Sequence, residues 1–145
     1  MSNKALALFK LNIVSVEKEI FCGKVSKLLV TGNFGEFEVL CNHAPLLTAL
    51  APGQLLYTDL HGEKHGIVVF GGIVEVQPLV TTIIADSYVR KEDIDEEEII
   101  KVKNLLENDL TKGLRMYDYA RTRAELAQAI AQLKFLRKHI TSKSL

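Results

Sequence analysis

Cysteine, histidine and carboxylate side chains are the groups here that could do chemistry, and Cys41-Asn42-His43 places two metal-ligand types together. A thiolate and an imidazole at this spacing can form half of a zinc site, which then needs a second ligand pair. The remaining candidates are scattered, because the other cysteine is Cys22 and the other histidines are His61, His65 and His139. We therefore predict no metal ligands and interpret both cysteines as packed thiols of a reducing compartment.

Acidic side chains form the densest charged cluster, six carboxylates between positions 92 and 98. Acid–base catalysis needs carboxylates whose pKa values are driven apart by apolar or basic surroundings, and this stretch offers neither. We interpret it as a solvated surface. The sequence also lacks Gly-x-Ser-x-Gly, a phosphate-binding Gly-Lys-Ser/Thr loop and a Gly-x-Gly-x-x-Gly turn. The prediction is a protein that is not an enzyme and binds no cofactor.

Residues 1–87 are predicted to form an all-β sandwich. Turn signals every ~8–12 residues predict roughly seven to ten strands, and runs that are apolar on both faces favour two stacked sheets. His61-Gly62-Glu63 indicates a hairpin turn, and Gly71-Gly72 indicates a bulge or a close backbone approach. The strand-like runs are LFKLNIVSV, KVSKLLVT, EFEVL, QLLYTDL, GIVVF, IVEVQ and VTTIIA.

Residues 88–145 are predicted to form an antiparallel α-helical hairpin. Asp93 with Glu96 fits a capping box, and apolar residues follow at helical spacing until Lys112-Gly113. A second helix is predicted from about Asp118 to Lys138, with an alanine stripe that would let another backbone approach closely. The stripe consists of Ala120, Ala124, Ala127 and Ala131, and the apolar stripe beside it of Leu126, Ile130, Leu133, Leu136 and Ile140.

Charge is segregated along the chain although its net value is zero. Residues 1–91 carry eight basic and eight acidic side chains. Residues 92–109 carry two basic and eight acidic side chains, whereas residues 110–145 carry eight basic and two acidic ones. The two predicted helices therefore have net charges of −6 and +6. Two interpretations stay open: a solvated hairpin with weakly stabilising pairs, or a helix whose charge serves an external partner.

The stretch HAPLLTALAPG, residues 43–53, is unusual for a connection because it combines two prolines with an apolar block. Either the block fills the end of the core or it faces a partner. Neither the balanced charge nor the tail, where Phe135 is the aromatic residue among basic ones, favours a nucleic-acid partner. No apolar run approaches the ~18 residues of a membrane span, and Met1–Lys10 is too short for a signal peptide, so we expect a cytoplasmic protein without direct membrane insertion.

Four segments closely resemble the epsilon chain of the F-type ATP synthase: LNIVSVEKEIFCGKVSKLLVTG, HAPLLTALAPG, FGGIVEVQP, and VTTIIADS before a charged helix. AELAQAIAQLK also resembles the second helix of proteobacterial members. The resemblance implies a flattened β-sandwich with a two-helix domain, in a non-catalytic rotor subunit of the central stalk that couples proton translocation to ATP synthesis. It implies a peripheral location on the cytoplasmic face of the bacterial inner membrane.

The resemblance also implies partners and residues. The sandwich would bind the gamma chain and the c-ring, and the helices would reach the catalytic beta and alpha chains and inhibit ATP hydrolysis. The implied partner-binding residues are Gly32, Asn33, Phe34, Gly35 and Glu36 in one loop, and His43, Ala44, Pro45, Leu46 and Leu47 in the corner. The implied inhibitory residues are Arg121, Arg123, Lys134, Arg137 and Lys138.

One family feature is degenerate in this sequence. Some members bind ATP through Ile/Leu-Asp-x-x-Arg-Ala, and the matching stretch here ends in Glu98-Ile99, so a glutamate replaces the arginine that meets phosphate. We therefore expect no ATP site. A second function also stays open: a free-standing β-sandwich binding module with a regulatory helical tail.

Overall fold

The computed structural model describes residues 7–90, 93–111 and 116–143, without the side chains of residues 111, 116–118 and 135–143. In the described part, strands precede two helices, which confirms the predicted all-β sandwich followed by a helical pair. The strands are β1 (Phe9–Ser15), β2 (Glu19–Gly32), β3 (Gly35–Val39), β4 (Leu46–Asp59), β5 (Lys64–Val76), β6 (Val80–Ala85) and β7 (Tyr88–Arg90), and the helices are α1 (Glu96–Thr111) and α2 (Met116–Lys143).

The sheet closes on itself through its longest strands. Its order is β1-β6-β5-β4-β2-β3, and β1 also pairs with β2, so five strands form a ring with β3 at its edge. β2 makes this possible because its first half pairs with β1 and its second half with β3 and β4. Inward-facing side chains of Phe9, Leu28, Leu55 and Ile83 are almost fully buried in one core.

Gly71 and Gly72 lie inside a strand and confirm the predicted close backbone approach. Both have positive φ, 94° and 134°. A Cβ on Gly72 would collide with the carbonyl oxygen of Ile84 in β6. The two runs GIVVF and IVEVQ were expected as separate strands, but they form the continuous strand β5 because the glycine pair kinks the strand without ending its pairing with β4.

β4 begins at Leu46 and includes Pro52 and Gly53, so the prediction that residues 43–53 form a connection is wrong from Leu46 onward. β2 and β4 lose register here, with Val30 opposite Leu55 and Gly32 opposite Leu50. This bulge accommodates a proline that has no N–H to donate. Pro52 still pairs with Phe70 of β5 on the other side.

The chain divides into two compact units, Met1–Tyr88 and Val89–Leu145. In the second unit, Asp95 caps α1 instead of the predicted Asp93, since its Oδ1 accepts hydrogen bonds from the backbone N–H of Glu97 (3.1 Å) and Glu98 (3.4 Å). Three glutamates in the first turn are stabilised by the helix dipole. In the described residues, neither helix is long and apolar enough to cross a bilayer.

The buried face of α2 differs from the predicted one. Ala120, Ala124 and Ala127 are exposed, so the expected alanine stripe is wrong for these three residues. Of the predicted residues, Ala131 and Leu133 are buried, and Ala129, which was not predicted, is buried as well. On α1, Leu106 is buried, whereas Val102 is exposed. The stripe was misassigned because alanines recur on more than one face of this alanine-rich helix.

Candidate functional site

The loop with the first set of predicted partner residues is the tight turn between β2 and β3. Gly32 pairs with Gly35 across the turn, and Gly35 has a φ of 124°, which glycine adopts without strain. The N–H of Asn33 donates a hydrogen bond of 3.1 Å to the carbonyl oxygen of Ala49, which fixes the turn against β4. Phe34 at the tip is 99% exposed, so this large apolar ring has no role in the core.

The corner with the second set of predicted residues is held by backbone hydrogen bonds. Asn42 takes a left-handed conformation with a φ of 67°, as expected for asparagine in such a turn. Its N–H donates to the carbonyl oxygen of Pro78 at 2.8 Å, and the N–H of His43 donates to Leu40 at 3.1 Å. Nδ1 of His43 lies 2.6 Å from the carbonyl oxygen of Ala44. This network orients the chain for entry into β4.

The leucines of the corner divide between the core and the surface. Leu50 is only 4% exposed and belongs to the core, whereas Leu46 and Leu47 are 37% and 71% exposed. Ala44 and Pro45 are also exposed. The structure thus brings the corner near the β2–β3 turn, because Ala49, which accepts the bond from Asn33, follows Leu47 on the same face of β4.

An exposed apolar row that sequence reasoning missed continues this surface across the sheet. Ala49 lies opposite Ile73 of β5, and Ile73 lies opposite Ile84 of β6. Both isoleucines are 49% exposed. Along each strand the isoleucine alternates with buried residues, and this pattern could have been read from the sequence. Only the strand pairing, however, places Ala49, Ile73 and Ile84 side by side. We call Phe34, Leu47, Ala49, Ile73 and Ile84 the apolar surface.

The cysteines have no metal partner among the described residues at the corner. Both are free, and the Cys41 thiol donates a hydrogen bond to the carbonyl oxygen of Leu8 at 3.5 Å. Cys22 is exposed on β2, so the interpretation of both cysteines as packed thiols is wrong for Cys22. Its thiol donates to Oδ1 of Asn12 at 3.1 Å.

The helical unit contains a cavity of about 350 Å³ beside the start of α1. Glu98 and Ile99, the two residues that depart from the ATP-binding pattern, both line it. Asp93, Asp95 and Glu125 line it as well, and the described lining includes no basic side chain. Four carboxylates around the cavity would repel a phosphate group.

The predicted inhibitory residues lie on α2. Arg121, Arg123 and Lys134 are exposed, and the side chains of Arg137 and Lys138 lie outside the described residues. Nε of Arg121 is 3.4 Å from Oε1 of Glu125, one turn along the same helix. The described ion pair of α1, between Lys103 and Glu107 at 3.9 Å, is likewise within one helix. Such exposed pairs leave the basic side chains accessible to a partner.

A second cluster, which the sequence analysis did not assign, lies at the β4–β5 hairpin. Asp59, Glu63 and His65 bring one ligand atom each to within 4.8 Å of one another. The predicted turn at His61-Gly62-Glu63 is confirmed, with Gly62 at a φ of 83°. The signal was available in the sequence, since an aspartate precedes this turn and a histidine follows it, but the pairing of the two strands had to be known.

The fold and the surface together define a β-sandwich protein with a helical pair and an exposed apolar face at one end of the sandwich. The profile of the family described as ATP synthase, Delta/Epsilon chain, beta-sandwich domain matches residues 8–91. The chain therefore belongs to the ATP synthase delta/epsilon chain family.

Two solved structures show the same fold. A chain in the cryo-EM structure of Euglena gracilis mitochondrial ATP synthase (OSCP/F1/c-ring, rotational state 1) matches with a TM-score of 0.83 at 22% identity, over 94% of this chain and 86% of that chain. A chain in the Tetrahymena thermophila mitochondrial ATP synthase structure of the central stalk and c-ring matches with a TM-score of 0.58 at 14% identity, over 87% and 94%. Both matches extend beyond the sandwich into the helical unit.

Proposed function

We propose that this chain is a non-catalytic rotor subunit of an F-type ATP synthase, of the proteobacterial type, at the cytoplasmic face of the cell membrane. Its sandwich binds the gamma chain and rests on the c-ring, so that rotation driven by proton flow is passed to the catalytic head. Family membership and the two ATP synthase structures that share its fold support this assignment.

The observation that carries the proposal is the apolar surface. Phe34 and Leu47 are large and exposed side chains. Phe34 is held on the tight turn between β2 and β3, and Leu47 lies at the start of β4. The exposed isoleucines Ile73 and Ile84 extend this surface across the sheet. A contiguous exposed apolar patch on a protein without such a partner would promote aggregation, whereas in a complex it supplies the buried centre of an interface. We assign the gamma chain and the c-ring to this end of the sandwich.

The helical unit is proposed to inhibit ATP hydrolysis. Its second helix presents Arg121, Arg123 and Lys134 to solvent, and the acidic face of α1 carries the opposite charge. Acidic segments of the beta chain offer a competing partner for this basic helix. In one state the basic helix pairs with α1, and in the other it pairs with the beta chain. A switch between these states requires that their free energies differ by only a few kcal/mol. Exposed charge pairs of about 0.2–1 kcal/mol can tune such a balance.

Charged substitutions on the apolar surface test the proposal. Phe34→Asp combined with Leu47→Asp is expected to weaken binding to an immobilised complex of gamma chain and c-ring at least ~10-fold, because each carboxylate would have to be desolvated in the interface. Leu60→Asp is the matched control, because this leucine is also exposed but lies at the β4–β5 turn.

The fold should be unaffected in all these variants, since the substituted side chains are exposed, and circular dichroism checks this. Equal binding by the double variant and the control would contradict the assignment of this surface to the partners.

A further inference from the structure

The tip of the β4–β5 hairpin holds an arrangement of side chains that the proposed function does not use. Asp59 is the last residue of β4, and His65 is the second residue of β5. Tyr57 pairs with His65. Asp59 lies two residues beyond Tyr57 on the same face of β4, so strand register makes Asp59 and His65 diagonal neighbours. Glu63 enters the cluster from the turn that joins them.

We propose that Asp59, Glu63 and His65 form a binding site for a divalent transition metal ion, with Zn²⁺ as the best fit. One imidazole nitrogen with two carboxylate oxygens is a ligand set for zinc and its first-row neighbours. Magnesium and calcium prefer oxygen ligands throughout, so the histidine argues against them. This inference does not rest on the proposed rotor function.

The carboxylate of Asp59 is already oriented for such a role. Its Oδ1 accepts hydrogen bonds from the backbone N–H groups of His61 (2.8 Å) and Glu63 (3.0 Å), which leaves Oδ2 directed at His65. In metal sites, ligand carboxylates are held by hydrogen bonds of this kind on the oxygen that does not bind the ion. The hydrogen bond with His65 is the main cause that lowers the pKa of Asp59.

The ring of His65 is held in place as well. It stacks on Tyr57 with ring centroids 5.2 Å apart, and Tyr57 packs in turn against Phe21 at 4.4 Å. Because Tyr57 is buried in the core, this stack anchors the imidazole to the sandwich. His65 Nε2 lies 2.8 Å from Asp59 Oδ2, so both atoms point to the same small volume.

Metal binding requires small local changes. The three ligand atoms lie within 4.8 Å of one another. In a tetrahedral zinc site with bonds of ~2.1 Å, the ligand atoms are about 3.4 Å apart, so the widest separation in the cluster must shorten by roughly 1–1.5 Å. Rotation of the exposed Glu63 side chain can supply this. The Asp59–His65 hydrogen bond is replaced, with the imidazole proton on Nδ1 and the Nε2 lone pair on the metal.

The site differs from a plain surface ion pair in that it joins three positions across the hairpin. A bound ion would link the end of β4 to the start of β5 and would stabilise the folded chain by binding it in preference to the unfolded chain. His65 and Asp59 are 43% and 18% exposed at their side chains, so an ion can enter from solvent.

Calorimetric titration of the full chain with ZnCl₂ tests the proposal, in a Cys22→Ser background because an exposed free thiol is a potential zinc ligand. We expect one ion per chain and a higher thermal midpoint with zinc. His65→Ala should weaken binding at least ~10-fold and abolish the thermal shift. His61→Ala, at the same turn but outside the cluster, is the matched control and should bind as the parent does.

Asp59→Asn provides a second variant, since it keeps the side-chain shape while removing the charge, and it should also lose most of the affinity. The proposal is wrong if the parent chain takes up no zinc, if His65→Ala binds as tightly as the parent, or if His61→Ala loses binding to the same extent as His65→Ala.

Discussion

Replacement of Gly72 by alanine is expected to destabilise the chain by more than about 3 kcal/mol, a large part of the stability of a small domain. Gly72 has a φ of 134°, which side-chain-bearing residues rarely adopt. A Cβ at this position would also collide with the carbonyl oxygen of Ile84 and would lie 3.0 Å from the Cα of Ala85. Both obstacles are backbone atoms of β6, so no side-chain rotation can relieve the clash.

Urea unfolding of the full chain, followed by circular dichroism, measures this loss. Gly62→Ala is the matched control, because Gly62 also has a positive φ, 83°, but its Cβ would meet open space. Gly62→Ala should lower the free energy of unfolding by only about 1–2 kcal/mol, because alanine is strained in the left-handed conformation. If both variants lose the same stability, the close approach of β5 to β6 at Gly72 is not a constraint on the fold.

Deletion of residues 92–145 is expected to raise ATP hydrolysis by the assembled complex several-fold while assembly continues. The described core residues of the sandwich fall between Phe9 and Tyr88, so the deletion removes none of them. The deletion removes residues 110–145, which carry eight basic against two acidic side chains and are the proposed contact with the beta chain. Steady-state hydrolysis by purified complexes with and without the deletion measures the effect.

Neutralisation of basic side chains on α2 should reproduce part of this effect. Glutamine in place of Arg121, Arg123 and Arg137 removes three charges from the helix, and apolar contacts of the helix remain. Glutamine in place of the exposed Lys10, Lys24 and Lys64 removes the same charge from the sandwich and is the control. A normally assembled, truncated complex with an unchanged hydrolysis rate would show that the helices serve stability or assembly instead of inhibition.

The fold class could be predicted from sequence because alternation and turn signals are local. Strand boundaries were less predictable where a strand bends. Gly71-Gly72 and Pro52-Gly53 resemble breaks in the sequence, yet pairing with neighbouring strands continues past both. The cap of α1 was also hard to predict, because Asp93 and Asp95 are the same residue type. Which of them caps the helix depends on where the helical conformation begins, and in the structure it is Asp95.

The candidate sites were predictable only in part, because their side chains come together through strand pairing. The sequence left open whether the leucines of the corner fill the core or face a partner, and only the direction of β4 assigns Leu50 to the core and Leu47 to the surface. Ile73 and Ile84 join them through strand pairing, and so do Asp59 and His65 at the hairpin. Side chains that meet across strands leave little signal in a single sequence.

Co-purification is the most direct test of the central claim that this chain is a rotor subunit. An affinity-tagged copy is recovered from detergent-solubilised membranes, and the retained proteins are identified and quantified by mass spectrometry. We expect retention of the gamma chain, the c-ring and the alpha and beta chains in fixed proportions, and their loss with Phe34→Asp and Leu47→Asp. Recovery of the tagged chain without any ATP synthase subunit would contradict the claim and would favour a free-standing binding module.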